Sequence, residues 1–439
     1  MGILRPGLSM GNQPQLVRAV GLIGLTAIVV NGMVGAGIFV LPATVAALLG
    51  PASPIAYLLA AVAAMIIGLS YAEAGSRFDR AGGPYLYAQE AFGEFLAFEV
   101  GWMFLFGRLA GAAAIANAFA AYLAYLLPEL ASSVGRAAVI SLSIVAIAAL
   151  NYAGVKYGSA VVNVLTIGKL IPLLIFVAAG LFAIDWRTFA LPGVPAFGQL
   201  REASLVLLFA FGGFEFASVP SEEVIQSRRN LPIALIAGIL VSSILYILIQ
   251  VVCQGMLPGL GGDATPVANA AGNFLGPAGA GLMVFGAVLS TTGTNSTILL
   301  VGPRMLYALA QGGQLPAFFG RVHPQFRTPH IAVVLFSAAV LALALSGTFA
   351  LLAALNAMAR LLYSVVTCAA VPVLRRKMAP GGQAFRLPFG SLIPVLGVLL
   401  SLFLLSGVTQ QQALIGGLGM LSGAAVYVSW QRFKGPAAI

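Results

Sequence analysis

Over 439 residues the chain is 60% hydrophobic and only 8% charged, with a mean hydropathy of +1.01. No soluble core with a polar shell can be made from that composition, so most of its surface must face lipid. The net charge of +10 would suit nucleic acid, but Lys and Arg fall almost wholly in alternate loops, the pattern that orients a membrane protein.

Twelve apolar runs follow one another, at 19–47, 52–76, 95–127, 137–152, 160–184, 203–224, 231–253, 277–309, 331–345, 349–374, 387–408 and 413–430. Most reach the roughly 17–25 residues that a helix needs to cross a hydrocarbon core, and helices satisfy every backbone group there. The fourth and ninth are marginal in length. No polar stretch is long enough to fold separately, so the chain reads as one all-α membrane protein.

The first run is too long for the apolar region of a cleavable leader and is read as the first span. At its centre stands Asn31-Gly32-Met33-Val34-Gly35-Ala36-Gly37-Ile38-Phe39, and a lipid-facing helix has no reason to contain so many glycines. After span 2, Arg80-Ala81-Gly82-Gly83-Pro84-Tyr85 predicts a turn into a short amphipathic helix, a candidate inner gate. Span 3 carries Glu99 and Arg108. Span 5 carries Lys169, about 18 Å from the inner end if its helix starts near Tyr157, which is too deep for a short snorkel.

Span 6 reads Phe209-Ala210-Phe211-Gly212-Gly213-Phe214-Glu215, again with adjacent glycines near its middle. Two helices broken five spans apart are the pattern of an inverted-repeat transporter, with spans 1–5 and 6–10 as copies of opposite topology. An opened helix frees N–H donors at the start of one half and C=O acceptors at the end of the other. Donors near Gly35, Ala36 and Gly37 would take a carboxylate, and carbonyls near Phe209, Ala210 and Phe211 an ammonium, so a zwitterion matches both, with Val34, Ile38, Gly212, Phe214 and Glu215 completing the candidate substrate site. The alternative use of these glycines is close helix packing.

Farther on, the two cysteines, Cys253 and Cys368, fall at opposite membrane faces and read as packing residues. Residues 257–274, rich in Gly, Pro and Asn, suggest a re-entrant or capping helix, with a plain surface loop as the alternative. His323 and His330 share a loop with no further ligand nearby, and no nucleophile elbow or phosphate loop occurs, so neither a metal nor an enzyme constellation is expected, and no cofactor. Arg360 lies in span 10. Charges at bilayer depth cost roughly 2.5–3.5 kcal/mol each, which makes every one a functional candidate.

Sixteen of the 22 basic side chains, from Arg5 and Arg18 through Lys156 to Lys434, lie in one set of alternate segments. Three, Arg136, Arg187 and Arg201, lie in the other. Both termini are therefore expected in the cytoplasm of a multi-pass inner-membrane protein.

The chain resembles the amino acid, polyamine and organocation transporter superfamily. The resemblance rests on Val34-Gly35-Ala36-Gly37-Ile38-Phe39, on Phe211-Gly212-Gly213-Phe214-Glu215 with Glu222-Glu223-Val224 and Arg228-Arg229-Asn230-Leu231-Pro232, and on Arg304-Met305-Leu306-Tyr307 leading to Arg327-Thr328-Pro329-His330. It is nearest to the ApcT-like and cationic amino acid transporter branches, and its span 6 lacks the aromatic-rich pattern of the arginine/agmatine antiporters. The resemblance implies a LeuT-like core of ten helices over residues 1–376, with repeats at about 19–184 and 203–374, and two peripheral helices in 377–439. It also implies an amino acid substrate held between spans 1, 3, 6, 8 and 10, alternating access, and a lysine at Lys169 in place of a sodium ion between spans 1, 5 and 8. A lysine that sheds its proton would couple transport to protons, whereas a permanently charged one would be structural. Thr291, Thr292 and Asn295 of span 8 are candidate partners of its head group, unless they bond their own helix. Spans 3, 6 and 10 line one cavity in that fold, so Arg108 and Arg360 each qualify to pair with Glu215, whose alternative use is to bind a cationic substrate. Glu99 is counted in the same charge network, unless, five residues in from Glu94, it simply reaches cytoplasmic water. An exchanger or uniporter of the same fold remains an alternative, as do, less favoured, an ion channel and a membrane sensor. The identity of the amino acid and the oligomeric state stay open.

Overall fold

The computed structural model describes residues 21–78, 83–154, 159–189, 195–215, 224–378 and 385–434, with side chains of the helix over 159–180 described from Gly168 onward. Arg5, Arg18, Arg80, Lys156, Tyr157, Glu222 and Glu223 lie outside them. Among the described residues every long element is helical: α1 (Leu22–Met33), α2 (Gly37–Leu49), α3 (Ser53–Gly75), α4 (Gly83–Phe92), α5 (Glu94–Leu126), α6 (Ser133–Tyr152), α7 (Ser159–Gly180), α8 (Phe197–Leu207), α9 (Ser227–Met256), α10 (Pro266–Gln311), α11 (His330–Ser346), α12 (Phe349–Lys377), α13 (Leu392–Leu405) and α14 (Gln410–Lys434). Seven stretches among the described residues are long and apolar enough to cross a bilayer, and four further apolar helices are shorter. Eleven of the twelve apolar runs overlap one of these helices; the sixth, over 203–224, holds among the described residues only the end of α8, which stops at Leu207.

The first run is interrupted at its glycines. α1 ends at Met33, Val34 leaves the helical region at φ −72° and ψ 85°, and α2 begins at Gly37. In the sixth run α8 stops at Leu207, and tight turns lead to Gly213, whose φ of +110° favours glycine. The Gly-Gly-Pro segment turns at Gly83 (φ +52°) into α4. Residues 257–274 are half loop and half helix: α10 starts at Pro266 and is kinked at Gly276, where φ is +68°. Asp263 anchors that start, accepting from the Thr265 N–H at 2.8 Å and from the Asn269 amide.

α5 is the pillar of the bundle and packs against α4, α6, α10, α11, α12 and α14. Small residues let α12 come close. A Cβ on Gly107 would stand 3.3 Å from that of Ala359, and one on Gly111 only 2.8 Å from the Asn356 amide nitrogen. Asn356 uses this closeness to donate to the Gly107 carbonyl at 2.6 Å, a polar cross-link between tightly packed helices. α3 and α9 run antiparallel, as Gly68 meeting Ile239 and Gly75 meeting Leu231 requires.

One end of the bundle is fastened by Glu73, which is fully buried. Its carboxylate takes a fork from Arg375 at 2.7 and 2.6 Å, a third bond from Arg77 at 2.8 Å and a fourth from the Leu387 N–H at 2.9 Å. With every lone-pair direction used, this buried anion is compensated rather than stranded. Beside it Lys377 donates to the Glu90 and Ala91 carbonyls at the C-terminal end of α4, where the helix dipole favours a cation.

The α5–α12 contact makes a direct prediction. Gly111→Val should overpack it and cost about 1–3 kcal/mol, lowering the melting temperature of the purified protein. Gly281→Ala in α10, where an added Cβ meets nothing within 4 Å, should leave it unchanged or raise it.

Candidate functional site

The two breaks lie against each other. A Cβ on Gly37 would stand 2.9 Å from the Ala210 Cβ and 3.1 Å from a Phe209 ring carbon, and a Cβ on Gly213 would fall on the Gly32 carbonyl. The two readings of these glycines, broken helix and close packing, therefore hold at the same residues. Without side chains there, one backbone crosses the other at contact distance.

Opening α1 leaves carbonyls that no residue of its own helix reaches. Lys169 of α7 fills that need, donating to Asn31 O at 2.8 Å and Val34 O at 2.6 Å. Ser290 of α10 adds a bond to Val34 O at 3.3 Å, and the Tyr246 hydroxyl of α9 stands 2.6 Å from Met33 O and 3.1 Å from Ala210 O. Tyr246 thus bridges the two breaks. The donor end is complementary: the first N–H groups of α2, at Gly37 and Ile38, have no acceptor within their own helix. Val34, Gly35, Ala36, Gly37 and Ile38 are all buried.

Of the polar residues of span 8, Thr291 spends its hydroxyl on its own helix, donating to Ala287 O at 2.7 Å and lying 3.1 Å from Val288 O. Thr292 is half-buried, and the Asn295 side-chain oxygen is buried with no hydrogen-bond partner among the described residues. The hydroxyl of this helix that reaches the Lys169 carbonyls belongs to Ser290.

In span 6, Phe209 packs edge-on to Phe349, Phe211 edge-on to Tyr246, and Phe214 edge-on to Tyr71 of α3 at 5.3 Å. Phe209 O accepts from the Gly212 N–H, and Ala210 O is the carbonyl facing Tyr246. Each keeps a second lone pair.

Glu215 resolves a choice that the residues alone left open, because it pairs with both arginines. Arg108 Nη2 lies 3.0 Å from Oε1, and Arg360 Nη1 lies 3.1 Å from Oε1 and 3.2 Å from Oε2. The Tyr363 hydroxyl donates to Oε1 at 3.1 Å and the Gly213 N–H to Oε2 at 3.0 Å. The guanidinium of Arg360 occupies the space where a Cβ of Gly212 would stand, so the glycine admits the arginine to the backbone. Arg108 also lies over the Phe104 ring at 4.4 Å. The three charged residues are 3–6% exposed and tie α5, the span 6 break and α12 into one knot.

Glu99 does not join them, contrary to the expected four-member network. It precedes Arg108 by nine residues, two and a half helical turns, which turns it to the opposite face of α5. There it stands beside α14, where a Cβ on Gly423 would be 3.0 Å from its Oε1, and both its oxygens lack partners among the described residues. Tyr246, Ser290 and Tyr363 were not among the expected site residues. Tyr363 was within reach, standing three residues after Arg360 on one helix face. For Tyr246 and Ser290 no local pattern marks which face of the helix meets the break.

Comparison with known proteins agrees with this architecture. A profile of the family described as "Amino acid permease" matches residues 20–420. The chain is 28% identical to the branched-chain amino acid permease BcaP of Bacillus subtilis (strain 168), covering 96% of this chain and 94% of that protein. It is 31% identical to the methylthioribose transporter of the same organism over 90% of each chain. It is 35% identical to the chloroplastic cationic amino acid transporter 9 of Arabidopsis thaliana over 70% of this chain and 58% of that one. The chain belongs to the amino acid permease family, within the amino acid, polyamine and organocation superfamily.

Removing the anion from the buried knot should cost more than any surface change. Glu215→Gln leaves two guanidiniums facing each other and should destabilise by about 3–5 kcal/mol. The double variant Glu215→Gln with Arg360→Gln should recover part of that loss, read as melting temperature in detergent.

Proposed function

We propose that this permease carries a neutral amino acid across the cytoplasmic membrane by alternating access, with a proton as the coupling ion. The observation that carries the reading is Lys169, whose ammonium sits 2.8 and 2.6 Å from two carbonyls of the broken α1. A cation at that place holds the break together, and removing its charge loosens it, so proton exchange at Nζ and movement of α1 are linked. The buried ammonium needs no carboxylate partner in this arrangement, which leaves its protonation free to change with the conformation around it.

The helices are arranged, on this reading, as twelve spans: a core of two five-helix repeats over 19–184 and 203–374 within residues 1–376, and two peripheral helices in 377–439. The alternate-loop bias of Lys and Arg supports cytoplasmic termini, which places Glu73 and α4 inside and the cavity beside Gln254 outside. A substrate carboxylate would take the N–H groups at Gly37 and Ile38, and its ammonium the carbonyls of the span 6 break.

The substrate's net charge follows from Glu215. A carboxylate already bound by two guanidiniums, a phenol and a backbone N–H is no spare anion for a cationic side chain. The names of the relatives do not decide this point, since they cover branched-chain amino acids, methylthioribose and cationic amino acids. Apolar surroundings of the breaks, with Val34, Ala36, Ile38 and Phe209, favour a small or aliphatic side chain.

Proteoliposome transport tests the reading. Preloaded neutral amino acid should accelerate tracer uptake, and an inward proton gradient should drive accumulation that rises as the outside is acidified. Lys169→Ala should keep exchange but lose the response to the proton gradient. A variant with its full pH dependence would sink proton coupling through this lysine, and uptake of lysine or arginine in preference to leucine or serine would sink the neutral substrate.

A further inference from the structure

Helix α9 carries a polar stripe that the transport reading does not use. Ser242, Tyr246, Gln250 and Gln254 recur every four residues, a spacing that keeps side chains on one helix face. Over twelve residues the stripe is about 18 Å long. All four are buried, with Ser242, Tyr246 and Gln250 at 0% exposure. Tyr246 meets the carbonyls of the two breaks. The others are bare: Ser242 Oγ, both amide atoms of Gln250 and Oε1 of Gln254 have no hydrogen-bond partner among the described residues.

The neighbouring helix adds a fifth group. Gly68 of α3 meets Ile239 of α9 and Gly75 meets Leu231, so eleven residues farther out along each helix Tyr57 stands level with Gln250. The Tyr57 hydroxyl is likewise fully buried and without a partner. At the outer end Gln254 lines a cavity of about 300 Å³ together with Ala46, Gly50, Pro51 and Thr188, which is room for several water molecules.

A buried amide or hydroxyl left bare costs about 1–3 kcal/mol, so a row of them in one face calls for a partner. Polar residues that glue membrane helices together bond across the interface, as Asn356 does to Gly107, and these do not. We propose that the stripe is a water site: a file of ordered water that enters at the Gln254 cavity, passes between Gln250 and Tyr57, and ends at the Tyr246 hydroxyl where the two breaks cross. A water at the middle level would meet the Gln250 Nε2 donor, its Oε1 acceptor and the Tyr57 phenol, a normal complement for buried water. The file reaches the carbonyl cluster around Met33 and Val34, so it supplies the outer half of a proton path to Lys169. That use rests on the proposed coupling, whereas the water does not.

Radiolytic footprinting of the intact protein in heavy-oxygen water reads bound water directly, because radicals form where the water sits. Tyr57 and Tyr246 should be oxidised at least about threefold faster than Tyr122, which is equally buried but bonded to the Phe39 carbonyl at 2.7 Å. Equal rates at the three tyrosines would overturn the file. Gln250→Leu gives an independent sign. If the site is dry, an apolar side chain of similar size relieves an unsatisfied amide and the melting temperature stays or rises, which also overturns it. If water bridges the amide to Tyr57, the variant strands the phenol and the melting temperature falls. Loss of the footprint would leave the Lys169→Ala pH response untouched, so the two readings fail separately.

Discussion

The structure depends on one constraint: a backbone carbonyl freed at bilayer depth must find a donor. Breaking α1 between Met33 and Gly37 frees several at once, and the donors come from three different helices, Lys169 from α7, Tyr246 from α9 and Ser290 from α10. The break is therefore a junction. Any shift of α1 changes bonds to three neighbours together, and a change at any neighbour is felt by α1. A continuous helix in the same place would be indifferent to all of them.

The Glu215 knot plays the opposite part. Its two arginines, tyrosine and backbone N–H converge on one carboxylate, and the bonds reach across α5 and α12, which pack directly against each other. The carboxylate is bound from several sides at once, so no single bond holds the knot. Lys169 holds only neutral dipoles, so its hold depends on the protonation of a single group. One buried cluster is thus suited to being fixed and the other to being released.

Much of this was legible in the chain. Closely spaced glycines at Gly35 and Gly37 and adjacent ones at Gly212-Gly213 located both interruptions, and the depth of Lys169 excluded a lipid anchor. Rotation was not legible. Which face of α10 meets the break decides between Thr291 and Ser290, one residue apart, and hydropathy carries no such information where every face is apolar. Glu99 is a different kind of miss, since its nine-residue distance from Arg108 already places the two on opposite sides of one helix. Tyr246 was invisible because a buried tyrosine in an apolar span looks like packing until the bare carbonyls beside it are known.

The guanidinium of Arg360 rests where a side chain at position 212 would begin. The two positions are far apart in the chain, yet a larger residue at 212 must displace the guanidinium at 360. An alanine at 212 needs that guanidinium to swing aside or a shorter residue at 360, and a shorter residue at 360 leaves Glu215 to Arg108, the Tyr363 hydroxyl and the Gly213 N–H. Size at 212 and charge at 360 are therefore coupled: the bulk of one residue decides whether the other's guanidinium can reach Glu215 along its present path.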